Sequence, residues 1–429
     1  MAGIIFTHPP TRQRSSINAR LNRRQLLAGS AALASTIALG SSAIAQTPGA
    51  TPAASPVSNH PAGKLDSLLT LIPAGQAAKA AASGVLFYYA DLETQLKSMG
   101  IAQDGSFTGE NLIAALGPLA LASQAFQYAL QPEFVDTFGF NAFDTHRSLF
   151  AGVPPEDISI FQGGLDRDKL IAAWKASGYK PKKTALGTEF WTAGENGELD
   201  LSSPVSQYGA GALNNAVLLD NDTLVFARFA RLIEEIVKQA VQGGPSLADQ
   251  PGVAPVVNTL SDRMVSAIGV TGSFASTEVR VTPAEQKRLT AQMAESDDAV
   301  GKMPRVDVIV FGIDAGMTVS MPTDSATPAA VGSPEASPVA NLSGSPLVEV
   351  RMHTGSDADA AKVAKVVAWR WVHMDSQQTG NPYSGLMKLV SADVSPADPT
   401  VAAIDFDPGD AGGRWQRMVN TRDLLPFGS

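Results

Sequence analysis

Hydrophobic positions recur along this chain with two different periods, and the order of those periods predicts an α+β fold. Alternating or continuous apolar runs predict strands, whereas apolar residues three and four positions apart predict helices. The clearest unit comprises a strand at 157–163, a helix at 166–177, a strand at 183–192, a hairpin at 215–227 and a helix at 229–241. In the first of these helices Leu170, Ile171 and Trp174 share one face, which we expect to pack inward.

The C-terminal part repeats this order of elements without obvious sequence identity. Its predicted elements are a strand at 347–353, a helix at 356–372, strands at 387–394 and 401–406, and a short helix at 413–420. Both units follow the order β-α-β-β-α, and strands at 264–274 and 306–313 are expected to complete the sheets. The sequence therefore predicts two ferredoxin-like halves, residues 63–260 and 261–429, with additional N-terminal helices before the first unit.

Two low-complexity segments lie outside these units. Residues 46–62 are rich in Pro, Ala, Thr and Ser, a composition that cannot bury enough apolar surface to offset the entropy of ordering. The same composition returns at 322–346, between strand-like alternation at 317–321 and 347–352. We predict a disordered tether at 46–62 and a disordered loop at the tip of a hairpin at 322–346.

The N-terminal 45 residues have the pattern of a twin-arginine export signal. Arg23 and Arg24 precede a weakly apolar run that reaches Leu39, and Ala43 and Ala45 form the small-x-small pattern of a cleavage site. A retained membrane anchor is the alternative, although Ser and Gly dilute the apolar run below what a spanning helix needs. We therefore predict an extracytoplasmic protein, secreted or associated with the cell envelope, which contacts a membrane only through an uncleaved signal.

Turns and core positions between residues 64 and 275 carry a resemblance to a known group of proteins. The matching segments are Phe138-Gly139-Phe140, Gly152-Val153-Pro154-Pro155-Glu156, a strand ending in Gly163, a helix ending in Ser177-Gly178-Tyr179, and Asn214-Asn215-Ala216 before Leu224-Val225-Phe226-Ala227. This succession resembles exported bacterial proteins of unknown function with duplicated α+β halves. The resemblance implies export and duplication, and it implies no catalytic residue.

Composition and charge narrow the classes of function. The chain has 429 residues, of which 44% are hydrophobic and 17% charged, which excludes disorder for most of its length. Its formal charge of −9 becomes −14 without residues 1–45, which hold five arginines and no lysine or acid, so a nucleic-acid partner is not expected. Cysteine is absent, which excludes disulfides, a thiolate nucleophile and an iron–sulfur cluster.

The best candidate metal site is an acidic cluster near the C-terminus. Asp405, Asp407 and Asp410 are close in sequence, and three carboxylates could bind Ca²⁺, although the spacing does not fit an EF-hand. The alternative is a strand-to-helix turn, in which an acid favours the helix N-terminus. No other cofactor is predicted.

Three tryptophans form the candidate ligand-binding set. Trp369, Trp371 and Trp415 could stack on a sugar or a peptide. Because helical positions i and i+2 do not share a face, at least one of Trp369 and Trp371 should point outward. Packing in the core is the alternative for these side chains.

The chain contains none of the common catalytic motifs, such as Gly-x-Ser-x-Gly, His-Glu-x-x-His or a phosphate-binding loop. The leading hypothesis is therefore a non-catalytic binding or interaction protein of the bacterial cell envelope, whose partner is an envelope ligand or protein. The alternatives are an exported carboxylate-dependent hydrolase of the glycoside type and a purely structural envelope component.

Overall fold

The computed structural model describes residues 63–103, 115–276, 282–316, 346–409 and 414–428, apart from single residues at 196, 199, 201 and 221. The predicted signal at 1–45, the tether at 46–62, nearly all of the loop at 322–346, and Asp410 lie outside the described residues.

Twelve strands and twelve α-helices are described. The strands are β1 (Val85–Asp91), β2 (Arg147–Ala151), β3 (Ile158–Gln162), β4 (Lys180–Lys183), β5 (Glu189–Thr192), β6 (Asn215–Leu218), β7 (Thr223–Ala227), β8 (Met264–Thr271), β9 (Val306–Asp314), β10 (Val348–Thr354), β11 (Lys388–Val394) and β12 (Val401–Asp407). The helices are α1 (Gly63–Leu69), α2 (Ala74–Ser83), α3 (Leu92–Ser98), α4 (Gln124–Tyr128), α5 (Pro132–Phe138), α6 (Arg167–Ala176), α7 (Ala230–Gln242), α8 (Val253–Asn258), α9 (Gly272–Ser276), α10 (Pro283–Val300), α11 (Asp357–His373) and α12 (Arg414–Asn420).

All twelve strands belong to one sheet. Their order is β11-β12-β10-β9-β8-β1-β2-β3-β7-β6-β5-β4, and every neighbouring pair is antiparallel. Strands β1 and β8 join the N-terminal and C-terminal parts, with Tyr88 opposite Ile268 and Tyr89 opposite Ala267. The predicted α+β class is thereby confirmed, with a single large antiparallel sheet.

The two parts of the sheet share an order of strands. In each part three successive strands form a meander, a helix follows, and a returning strand pairs with the third strand of the meander. In the first part the helix is α6 and β7 returns to β3; in the second the helix is α11 and β12 returns to β10. The predicted β-α-β-β-α units omitted β2, and they took the hairpin β4–β5 as one strand at 183–192.

The sheet is covered on both faces by apolar side chains. We define face A as the face that carries Tyr88 and Phe161, and face B as the face that carries Phe87 and Ile160. Helices α3, α4, α5, α6, α11 and α12 contribute buried residues to the core on face A, whereas α1, α2, α7 and α8 contribute to the core on face B. Because successive strand residues point to opposite faces, the central strands are apolar at nearly every position.

Local sequence signals explain two of the longer helices. Helix α7 buries Leu232, Ile233, Ile236 and Val237 on one face, as their spacing predicts. Helix α11 begins after Ser356, whose side chain accepts a hydrogen bond from the backbone N–H of Asp359 at 3.2 Å. Within the part of the chain described above, we find no helix long and apolar enough to cross a bilayer.

A glycine determines how closely the two parts approach each other. Gly269 of β8 lies directly opposite Phe87 of β1, and a Cβ atom at position 269 would lie 2.3 Å from Cε1 of the Phe87 ring. Real carbon contacts do not reach that distance, so a larger residue would displace a ring that is fully buried.

We predict that Gly269→Ala destabilises the protein by about 1–3 kcal/mol, because the added methyl group overpacks the β1–β8 junction. Chemical unfolding followed by circular dichroism measures this change. Gly75→Ala is the matched control, because no atom lies within 4 Å of a Cβ built there in α2, and alanine favours a helix. Equal stability of the two variants would contradict the role assigned to Gly269.

Candidate functional site

A pocket of about 140 Å³ opens on face A between α6 and the strands β5 and β6. Its lining combines apolar walls with a few polar groups, as small-molecule sites commonly do. The lining residues are Arg167, Ile171, Trp174, Thr188, Glu189, Trp191 and Leu218. We refer to this site as the Trp174 pocket.

The local sequence explains how α6 builds one wall. Asp166 caps the helix by accepting hydrogen bonds from the backbone N–H groups of Asp168 and Lys169, both at 3.1 Å. From this start, Leu170 and Trp174 are fully buried against the sheet. Arg167 and Ile171 are four positions apart, so they lie on one side of the helix, along the margin of the pocket.

Trp174 is the central residue of the pocket. Its ring contacts Trp191 and Tyr179, each with a centroid separation of 6.1 Å. The side chain is fully buried, yet its Nε1–H has no hydrogen-bond partner among the residues that the structure describes. An unsatisfied buried donor costs about 1–3 kcal/mol, so an acceptor that enters the pocket and takes this N–H would recover that free energy.

The rim of the pocket carries opposite charges on opposite walls. Arg167 on α6 and Glu189 on β5 are both exposed, and neither forms a salt bridge in the described part of the chain. Lys175 lies further along the same helix, with Nζ 5.7 Å from the centroid of the Trp191 ring. The margin of the pocket therefore carries a positive and a negative group, and Trp174, which holds the unpartnered indole N–H, belongs to the lining.

The tryptophans singled out in the sequence are not brought together at an open surface. Trp371 is fully buried and donates its Nε1–H to the carbonyl oxygen of Met387 at 3.0 Å. Trp415 is 2% exposed and borders a cavity of about 10 Å³, barely the size of one water molecule. Trp369 is half-buried and stacks on His373 with a centroid distance of 4.4 Å, so it is the one of the three that reaches solvent.

The acidic residues of the predicted cation site make other contacts. The Asp405 carboxylate accepts hydrogen bonds from Arg351 Nη1 at 2.7 Å and from Ser391 Oγ at 2.8 Å. Asp407 Oδ1 accepts from the backbone N–H of Gly409 at 2.8 Å, which is the hydrogen bond of a turn. Two of the three carboxylates therefore have partners inside the protein, and the third, Asp410, lies outside the described residues.

Arg351 is the centre of a buried charge network on face B. Besides Asp405 it binds Glu349, with Nη2 to Oε2 at 2.9 Å, and Glu349 and Asp405 lie directly opposite each other in β10 and β12. Glu349 also accepts from the backbone N–H of Ser261 at 3.0 Å. Burial, together with the nearby charge of Asp314 and against the attraction of Arg351, raises the pKa of Glu349 to about 7.

Comparison with known proteins adds little to this geometry. No protein-family model matches the sequence, and no curated protein is similar to it. Among solved structures, crystal form I of TP0453 matches with 9% identity over 79% of this chain and 94% of that one, and a TM-score of 0.36. A likeness of this degree carries no argument about function.

Sequence reasoning placed Trp174 correctly on the inner face of a helix but did not identify the pocket around it. Trp191, Arg167 and Glu189 were not singled out at all. The available signal was that two of the five tryptophans lie within 18 residues, on either side of a run of lysines. The two tryptophans line the same pocket only because the β4–β5 hairpin places Trp191 beside α6.

We predict that the Glu349 carboxyl makes stability depend on pH. Its folded-state pKa of about 7 lies above the ordinary value of 4.5, so the folded protein binds this proton more tightly than the unfolded chain does. Its contribution is therefore fully present below about pH 4.5 and is lost as the pH rises through about 7.

The free energy of unfolding, measured by urea titration between about pH 5 and pH 8, should fall with rising pH more steeply in the wild type than in Glu349→Gln. The difference between the two proteins should change by on the order of 3 kcal/mol at most, because one pKa unit corresponds to about 1.4 kcal/mol. Glutamine preserves an acceptor for Ser261 and does not titrate. Parallel pH profiles for the two proteins would contradict the raised pKa.

Proposed function

We propose that this chain is an exported binding protein of the bacterial cell envelope that holds a small molecule without transforming it. The Trp174 pocket is the observation that carries the proposal, because it combines apolar walls with a buried N–H that has no partner. Such unmet donors are rare in protein interiors, and a ligand acceptor would satisfy this one.

The size of the pocket limits the ligand. Sites for drug-sized molecules enclose roughly 300–1,000 Å³, whereas this one encloses about 140 Å³. That volume is similar to an engineered apolar cavity of roughly 150 Å³ that admits benzene. The ligand is therefore a small molecule or the end group of a larger one, not an extended polymer lying in a cleft.

The state of the carboxylates favours binding over hydrolysis. Glycosidases place two carboxyl groups on either side of a bond of the substrate. Glu349 and Asp405 do form a close pair, but Arg351 lies against both of them and Glu349 is only 2% exposed. A sugar would have to displace that guanidinium, so this pair supports a structural role rather than the hydrolase alternative.

The strand orders support the proposal that the chain contains two related halves, 63–260 and 261–429. Each has a meander, a crossing helix on face A and a returning strand. We infer a duplication of a ferredoxin-like unit that has gained strands before its helix. Export before cleavage after Ala45 remains a proposal based on Arg23, Arg24 and the apolar run that follows them.

The ligand-binding proposal predicts that filling the pocket abolishes binding. Ile171→Phe places an aromatic ring in the opening, so a compound that raises the unfolding midpoint of the wild type should bind this variant at least tenfold more weakly. A thermal-unfolding screen of divalent cations, amino acids, small carboxylates, amines and sugars would identify such compounds, and calorimetry would measure their affinity.

Val241→Phe is the matched control, because it makes the same kind of change at a residue that is 64% exposed, does not line the pocket and belongs to α7, which packs on face B. Binding that survives Ile171→Phe would place the ligand elsewhere. If no compound in the screen bound, an interaction with another protein would replace the proposed function.

The export proposal makes an independent prediction. Replacing Arg23 and Arg24 together by lysine should retain the full-length precursor inside the cell, because the twin-arginine pathway recognises the paired guanidinium groups and not charge alone. Fractionation followed by immunoblotting measures the distribution, with Arg12→Lys and Arg14→Lys as the control pair. Normal export of the Arg23/Arg24 variant would contradict the assignment of this signal.

A further inference from the structure

We propose that the Trp174 pocket binds a small zwitterion of the amino-acid type, with an apolar side group; this inference rests on the proposed function of the pocket. The observation behind it is that Arg167 and Glu189, which carry opposite charges, flank one small pocket and have no ion-pair partner among the described residues. A ligand with both charges would pair with both side chains.

The carboxylate of the ligand would bind at the α6 wall. Trp174 supplies a neutral N–H donor that is already desolvated and unpartnered, and Arg167 supplies a guanidinium on the same wall. An ionised acceptor forms stronger hydrogen bonds than a neutral one, and a guanidinium can bind both oxygens of a carboxylate. Lys175, over the neighbouring Trp191 ring, adds a second positive charge near this wall.

The ammonium of the ligand would bind at the strand wall. Glu189 begins β5 and lies opposite Lys183 of β4 in the strand register, but the two side chains form no ion pair of 4 Å or less. The Glu189 carboxylate is therefore free to accept from a ligand N–H. Thr188, the preceding residue in the lining, places a hydroxyl group beside it.

A singly charged ligand would pair with only one of the two charged side chains, Arg167 and Glu189. An anion would leave Glu189 facing a negative charge, and a cation would leave Arg167 facing a positive one. The hydrocarbon part of the ligand would pack against Ile171, Leu218 and Trp191. About 140 Å³ suits a branched aliphatic group and excludes long chains.

The test compares four compounds that share one isobutyl group. They are L-leucine, its deaminated acid 4-methylpentanoate, its decarboxylated amine 3-methylbutylamine, and the neutral 4-methylpentanamide. Calorimetric titration of the purified full-length chain should show L-leucine binding at least tenfold more tightly than each of the other three. Ile171→Phe should weaken binding of L-leucine, which ties the signal to this pocket.

Single substitutions then assign each end of the ligand. Arg167→Gln should weaken L-leucine binding at least tenfold and remove its advantage over the amine, whereas Glu189→Gln should remove its advantage over the acid. Lys169→Gln and Glu234→Gln are matched controls, because they make the same charge changes at exposed residues that do not line the pocket. Trp174→Phe should lower affinity for every compound with an acceptor at that end.

The failures of the two proposals can be distinguished. If the acid or the amine bound as tightly as L-leucine, and Ile171→Phe weakened that binding, the pocket would be a binding site but not for a zwitterion. If compounds in the wider screen bound in an Ile171-dependent manner and none of them was a zwitterion, the ligand class would likewise be wrong. If nothing bound and only water occupied the pocket, both proposals would be overturned.

Discussion

The pairing of β1 with β8 is the interaction on which the rest of the structure depends. These strands lie side by side at the middle of one sheet, although all of β2–β7 come between them along the chain. Because both faces of the middle strands are covered, each side chain from Leu86 to Ala90 is buried, and a side chain at position 269 would have to displace the Phe87 ring. Cohesion of the halves therefore comes from backbone hydrogen bonds and from two continuous cores, not from a small interface between separate domains.

The two edge strands of this sheet, β4 and β11, differ in composition and regularity. At one edge β4 consists of Lys180, Pro181, Lys182 and Lys183, all exposed, and such residues discourage pairing with another chain. At the other edge the register of β11 shifts between Leu389 and Ser391. The Trp174 pocket lies near the lysine edge, between α6 and the strands β5 and β6. Arg167 and Glu189 at that margin are exposed, whereas Trp174 behind them is fully buried.

The sequence predicted what short-range patterns determine. Helices α7 and α11 and the hairpin β6–β7 were predicted correctly because amphipathic spacing, a capping serine and the Asp220 turn are local signals. The strand order could not be predicted from such local signals. It depends on β2, which is only five residues long and which pairs with both β1 and β3. The charge network was harder still to predict from the sequence. Arg351 contacts Asp405 only because β10 pairs with β12, and the two residues are 54 positions apart in the chain.

The contrast between the two polar sites explains why we assign binding to the first half of the chain. On face B, Arg351, Glu349 and Asp405 satisfy one another and are joined by Ser261 and Ser391, so a ligand would have to break existing bonds. On face A, within the described part of the chain, Trp174 has a donor without a partner, and Arg167 and Glu189 line the same pocket without an ion pair. A buried network that is complete stabilises one conformation, whereas an incomplete one leaves free energy to be gained by association. We therefore interpret Glu349 and Asp405 as structural, and we propose the Trp174 pocket as the binding site.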